Sequence, residues 1–157
     1  MGVDVSDKSM NTIIFEFKED DIPWQDGRFL YNLWQQKSYG GKLPARSNFV
    51  PLEIKRVLPN IMLINVEQNP LKVSMRLVGS FITNIVKQDP TGESFQNILE
   101  RFQWLVKNKK PYFIAKIVPE WAPVDYRHYN ILALPLAEDG ENVDMAIVLV
   151  SPYEYDT

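Results

Sequence analysis

Apolar residues follow two rhythms along this chain. Between Pro23 and Tyr39, the residues Trp24, Phe29, Leu30, Leu33 and Trp34 recur at helical spacing, with Pro23 near the start and Gly40-Gly41 at the end. Pro51 then opens a short predicted helix, Leu52 to Leu58, which Pro59 stops. The branched run Ile61 to Glu67 and the alternating run Lys72 to Gly79 predict two strands, and the turn-type spacer Gln68-Asn69-Pro70 makes them an antiparallel hairpin. Ser80 is placed to cap a short helix, Phe81 to Lys87, ended by the breakers in Asp89-Pro90-Thr91-Gly92. A longer helix from Glu93 to Asn108 presents Phe95, Ile98, Leu99, Phe102 and Leu105 on one face. Three β-prone runs complete the pattern, Tyr112 to Val118, Tyr126 to Leu136 and Val143 to Val150, the last two joined by Glu138-Asp139-Gly140-Glu141.

Residues 1–22 read differently. The brief alternation of Ile13, Ile14, Phe15 and Phe17 sits in acidic and polar surroundings, so a flexible arm with one edge strand is expected there. Residues 23–153 then form a single domain, with 154–157 as a tail. Two strands, a helical crossover and three further strands close one five-stranded antiparallel sheet. The crossover helices pack on one face and the N-terminal helix on the other, which is an α+β architecture.

Composition narrows the functions. With 157 residues and 45% apolar side chains, the chain can bury one core along most of its length. A net charge of −3 offers no broad basic field, so neither nucleic acid nor an anionic membrane is expected as a partner. The absence of cysteine excludes disulfides, thiolate metal sites and cysteine nucleophiles, and fits a reducing, cytoplasmic setting. The start Met-Gly-Val-Asp lacks the basic and apolar regions of a secretory signal, and no apolar run approaches the roughly 20 residues that span a bilayer. A soluble cytoplasmic protein is the expectation.

Three segments carry a resemblance. They are Leu43-Pro44-Ala45-Arg46-Ser47-Asn48-Phe49-Val50-Pro51-Leu52-Glu53-Ile54 with Val57-Leu58-Pro59, then Met75-Arg76-Leu77-Val78-Gly79-Ser80 with Asp89-Pro90-Thr91-Gly92, and Leu134-Pro135-Leu136-Ala137-Glu138-Asp139-Gly140 with Val143-Asp144-Met145. In this order they resemble the opening, the second strand with the first crossover loop, and the final hairpin of a family of short, stand-alone bacterial PAS domains of the alphaproteobacterial type. Asn48 and Val50 stand where that family usually has acidic residues, and Ser80 where threonine is usual, which removes negative charge from the opening loop. The resemblance implies a sensory or interaction domain and brings neither an established ligand nor a catalytic residue.

It also implies where a site would lie. PAS domains place their usual cavity between the sheet and the crossover helices, which makes Phe81, Ile82, Ile85, Phe95 and Phe102 pocket candidates, with Met75 and Arg76 on the neighbouring strand. The same residues also serve as plain core. If the side of the sheet opposite Val73, Met75 and Leu77 is covered, Arg76 is partly buried and needs a carboxylate, as an internal ion pair or as a ligand's anion. Trp24, Leu30, Leu33 and Trp34 either fold back on their own sheet or form a homodimer interface, since helices flanking a PAS core often pair with a second copy.

Catalytic chemistry is sparse. His128 is the lone histidine; it could ligate haem iron or shuttle protons, yet no second residue supports either role. No metal-ligand cluster is evident, and the cofactor, if any, is unknown. Asp89-Pro90-Thr91-Gly92 lacks the glycines and lysine of a phosphate loop. A sensory module that binds a small molecule or a partner signalling protein is the leading reading. A ligand-free interaction or dimerisation scaffold is the second. A cone-shaped α+β proton-transfer enzyme is the third, which would need Glu120, Asp125 or Asp144 inside an apolar cavity.

Overall fold

The computed structural model describes residues 4–6, 12–86, 95–117 and 129–153, with the backbone alone for 4–6, 12, 84–86, 95–98 and 116–117. Seven strands build one antiparallel sheet in the order β1-β2-β5-β6-β7-β3-β4. They are β1 (Asp4–Ser6), β2 (Thr12–Ile14), β3 (Ile61–Glu67), β4 (Lys72–Val78), β5 (Tyr112–Ile117), β6 (Tyr129–Leu136) and β7 (Met145–Pro152). The five expected strands form the order β5-β6-β7-β3-β4, and the N-terminal pair extends the sheet beyond β5. For residues 12–22 the expectation of a flexible arm is therefore corrected. Ile13, Phe15 and Ile22 are buried, because β2 docks on β5 through Ile13 opposite Ile114 and Ile14 opposite Phe113.

Helix α1 (Gln25–Gln36) covers one face and helices α2 (Ser80–Val86) and α3 (Phe95–Asn108) belong to the other. On α1, Gly27, Leu30, Tyr31 and Trp34 are buried at helical spacing. Gly27 is required because a Cβ there would lie 2.6 Å from the Trp24 ring and 2.8 Å from the Ile22 side chain. The helix ends before a turn in which Gly40 and Gly41 take φ of 55° and 77°, a region open to glycine at little cost.

Register assigns each strand residue to a face. Tyr112 meets Phe102 of α3 edge-on, and Phe113 meets Phe17 and Trp24 on the α1 side. Through the pairings Tyr112↔Ala133 and Phe113↔Leu132, β6 sends Leu132, Leu134 and Leu136 toward α1 and Tyr129, Ile131 and Ala133 toward α2 and α3. Every residue of β6 is buried, as expected for a central strand covered on both faces.

Two local expectations change. Residues 51–57 form successive turns in place of a helix; amides of Glu53 and Val57 bond to carbonyls three residues back, and a 3-10 turn, Leu58–Asn60, follows. Proline at 59 has no N–H with which to continue a helical ladder. At the start of α2, the Gly79 carbonyl accepts the Thr83 amide, so Gly79 takes the cap position expected of Ser80. Gly79 also passes against the turn before β3, where an added Cβ would lie 2.3 Å from the Pro59 carbonyl oxygen and 2.5 Å from that of Leu58.

Candidate ligand pocket beneath the crossover helices

The face of the sheet under α2 and α3 is apolar and aromatic. From α2, Ile82 is fully buried and the Phe81 ring stands edge-on to Tyr129 at 6.2 Å between centroids. From α3, Phe102 and Leu105 are fully buried, and Phe102 lies 6.5 Å from Tyr112. Phe15 closes the β2 end, 4.2 Å from the Trp104 ring and 5.9 Å from Tyr112. The local sequence explains the arrangement: Phe102 and Leu105 are three apart on one helical face, while Tyr129, Ile131 and Ala133 alternate along β6.

Electrostatics match this character. Complete burial pushes the Tyr112 hydroxyl up to about 12, with the positive charge of Arg101 acting weakly in the other direction. The shift reflects the apolar surroundings of the buried hydroxyl. Tyr112 and Tyr129 bring the polar groups that the sheet contributes here among the described residues.

Of the predicted pocket residues, Phe81, Ile82 and Phe102 come together on this face. The backbones of Ile85 and Phe95 lie in α2 and α3, and their side chains are outside the described set. Met75 and Arg76 are displaced. They belong to edge strand β4, both are exposed, and Arg76 has no ion-pair partner among the described residues. The expected burial of Arg76 in an ion pair is corrected. A β-bulge is the reason: Leu63 pairs with Leu77 but Ile64 pairs with Met75, so Arg76 is the extra, unpaired residue. The bulge also separates Leu77 from Val73 and Met75. Leu77 follows Leu63 toward α1, while Met75 and Val73 follow Ile64 and Val66 to the other face.

The α1 stripe folds back on its own sheet. Leu30 is fully buried, Trp34 nearly so, Trp24 packs on Phe113, and Leu33 packs partly buried on the core. Trp24 and Leu33 remain partly exposed.

His128, Glu120, Asp125 and the loop Asp89-Pro90-Thr91-Gly92 lie outside the described residues. Asp144 is exposed and accepts the Glu138 amide at 3.0 Å, so it fastens the β6–β7 hairpin and lies away from the apolar face. Phe15 and Tyr129 are the site residues that sequence reading missed for this face. The β-period of 129–133 held the signal for Tyr129, but nothing in the sequence alone shows that the N-terminal segment docks beside β5.

An antiparallel sheet whose two halves are joined by crossover helices, with an aromatic face beneath them, is an α+β architecture of the PAS type. The chain belongs to the PAS domain family, whose profile matches residues 25–150. PAS domains are in general sensory, signal-input modules. Searches of curated proteins and of solved structures give no significant match. Among the described residues, no helix is long and apolar enough to cross a membrane.

Proposed function

We propose that this PAS domain is a signal-input module that acts by binding, not by catalysis, and that it receives a small, largely apolar molecule on the face beneath α2 and α3. The observation that carries this reading is the neutral aromatic set Phe81, Phe102, Tyr112 and Tyr129, which supplies apolar area together with phenol hydroxyls for orientation. Occupancy would bias the packing of α2 and α3, and that change would pass to a partner protein through differential affinity for the two states.

Native mass spectrometry of the intact protein, purified without denaturation, tests the proposal. Co-purification of a small molecule, lost in Phe102→Trp where added bulk fills the space, is the expected result. A clean apo mass with no uptake of apolar compounds would defeat it. That outcome favours an interaction scaffold with a self-filled interior, a reading supported by the complete burial of Ile82, Phe102 and Leu105.

A further inference from the structure

A second concavity lies at the other end of the same layer, between the β3–β4 turn and the last turns of α3. It encloses about 340 Å3 and is lined by Gln68, Asn69, Pro70 and Leu71 from the turn and by Gln103, Val106 and Lys107 from the helix. This volume is at the lower end of the range for small-molecule sites, roughly 300–1,000 Å3.

Its lining is sorted by chemistry. Leu71 and Val106 are half-buried against the core and form an apolar floor. Asn69, Gln103 and Lys107 are exposed on the rim, where Lys107 has no ion pair among the described residues. Among the described residues, no carboxylate lines the groove. Lys109 and Lys110 follow at the same helix end and add positive charge, while Asn108 donates to the Trp104 carbonyl at 2.9 Å and satisfies one acceptor of the final turn. Glu67, next to Gln68 in the chain, has Lys72 as its cross-strand partner.

The turn wall is preformed. Gln68 donates its side-chain amide to the Val143 carbonyl at 2.9 Å, tying the turn to the β6–β7 connection, and Asn69 holds a left-handed φ of 65°. A rigid wall lowers the ordering cost of binding.

We propose that this groove is a site for a small amphipathic carboxylate, its apolar part on Leu71 and Val106 and its carboxylate at Lys107, assisted by the Asn69 and Gln103 amides. The site is separate from the apolar face beneath α2, and an occupant would bridge the β3–β4 turn to α3.

Amide chemical shifts of the full chain, titrated with octanoate, octan-1-ol and inorganic phosphate, test the assignment. Octanoate should shift Asn69, Leu71 and Gln103 to Lys107 saturably, with octan-1-ol about tenfold weaker for want of the charge-assisted hydrogen bond. Lys107→Gln, a change at an exposed position, should weaken octanoate by the same factor and leave the fold unchanged, and Val106→Trp should block the groove. Equal binding of octanoate and octan-1-ol, saturable binding of phosphate, or no saturation below about 1 mM octanoate would overturn the proposal. Shifts confined to Phe81 and Ile82 would also overturn it, while supporting the sensing pocket. If Val106→Trp does not fold, Lys107→Gln decides.

Discussion

The Trp34 indole N–H donates to the Pro135 backbone carbonyl across 2.9 Å, joining α1 to the central strand of the sheet. Pro135 lies two residues beyond Ala133, which is the last β6 residue paired with β5. The Leu136 carbonyl accepts Asp144 on the β7 side, so Pro135 points the other way, where no strand continues. A proline there forfeits no ladder bond, and its carbonyl needs a partner from outside the sheet. Trp34→Phe keeps most of the apolar contact and removes that partner. Urea unfolding should report a loss of about 1–3 kcal/mol, the cost of leaving a buried acceptor unmade.

Leu30 separates the two uses of the α1 stripe. It is fully buried against its own sheet, so Leu30→Ala should cost about 2–5 kcal/mol of stability. Sedimentation of the folded variant should match the parent. A change in sedimentation with unaltered stability would instead place Leu30 at a contact between copies.

Much of this fold was legible in the sequence because its signals were long or redundant. Ile61 to Glu67 is a strand over the predicted range, since seven residues of branched apolar character leave one option. The helical stripes of α1 and α3 were readable for the same reason. Arg76 was misread because a bulge is one inserted residue with no composition of its own, yet it reverses the face of Leu77 relative to Val73. The role of Phe15 was hidden because its partners Trp104 and Tyr112 lie about 90 residues away, and periodicity carries no information on such pairing.

Arg76 consequently yields a prediction opposite to the one its sequence context suggests. A buried paired arginine would cost about 3–5 kcal/mol on removal. As an exposed bulge residue without an ion pair, Arg76→Ala should stay within about 0.5 kcal/mol of the parent in urea unfolding.

Gly79 is the converse case, a small residue whose replacement should be severe. Its amide donates to the Ile61 carbonyl at 2.8 Å, which fixes it beside the turn, and the atoms that a new Cβ would strike are backbone carbonyls. These cannot swing aside like a side-chain end. Gly79→Ala should therefore destabilise by about 3 kcal/mol or more, or force α2 to shift on the sheet. Thermal unfolding and the near-ultraviolet signal would register these outcomes separately.

Tyr112 makes stability fall at alkaline pH, and the sign follows from its buried phenol. Folding raises its pKa from the ordinary 10 to about 12, so the native state retains a proton that the unfolded chain releases. Below pH 10 both states hold the proton, and the stabilisation is fully present. Between pH 10 and about 12 the unfolded chain binds fewer protons than the native one, so unfolding grows more favourable as pH rises. Tyr112→Phe removes the titrating hydroxyl and should flatten this part of the stability profile. Urea unfolding of parent and variant from pH 8 to 11.5 would test it, and an identical alkaline decline in both would remove Tyr112 as the cause.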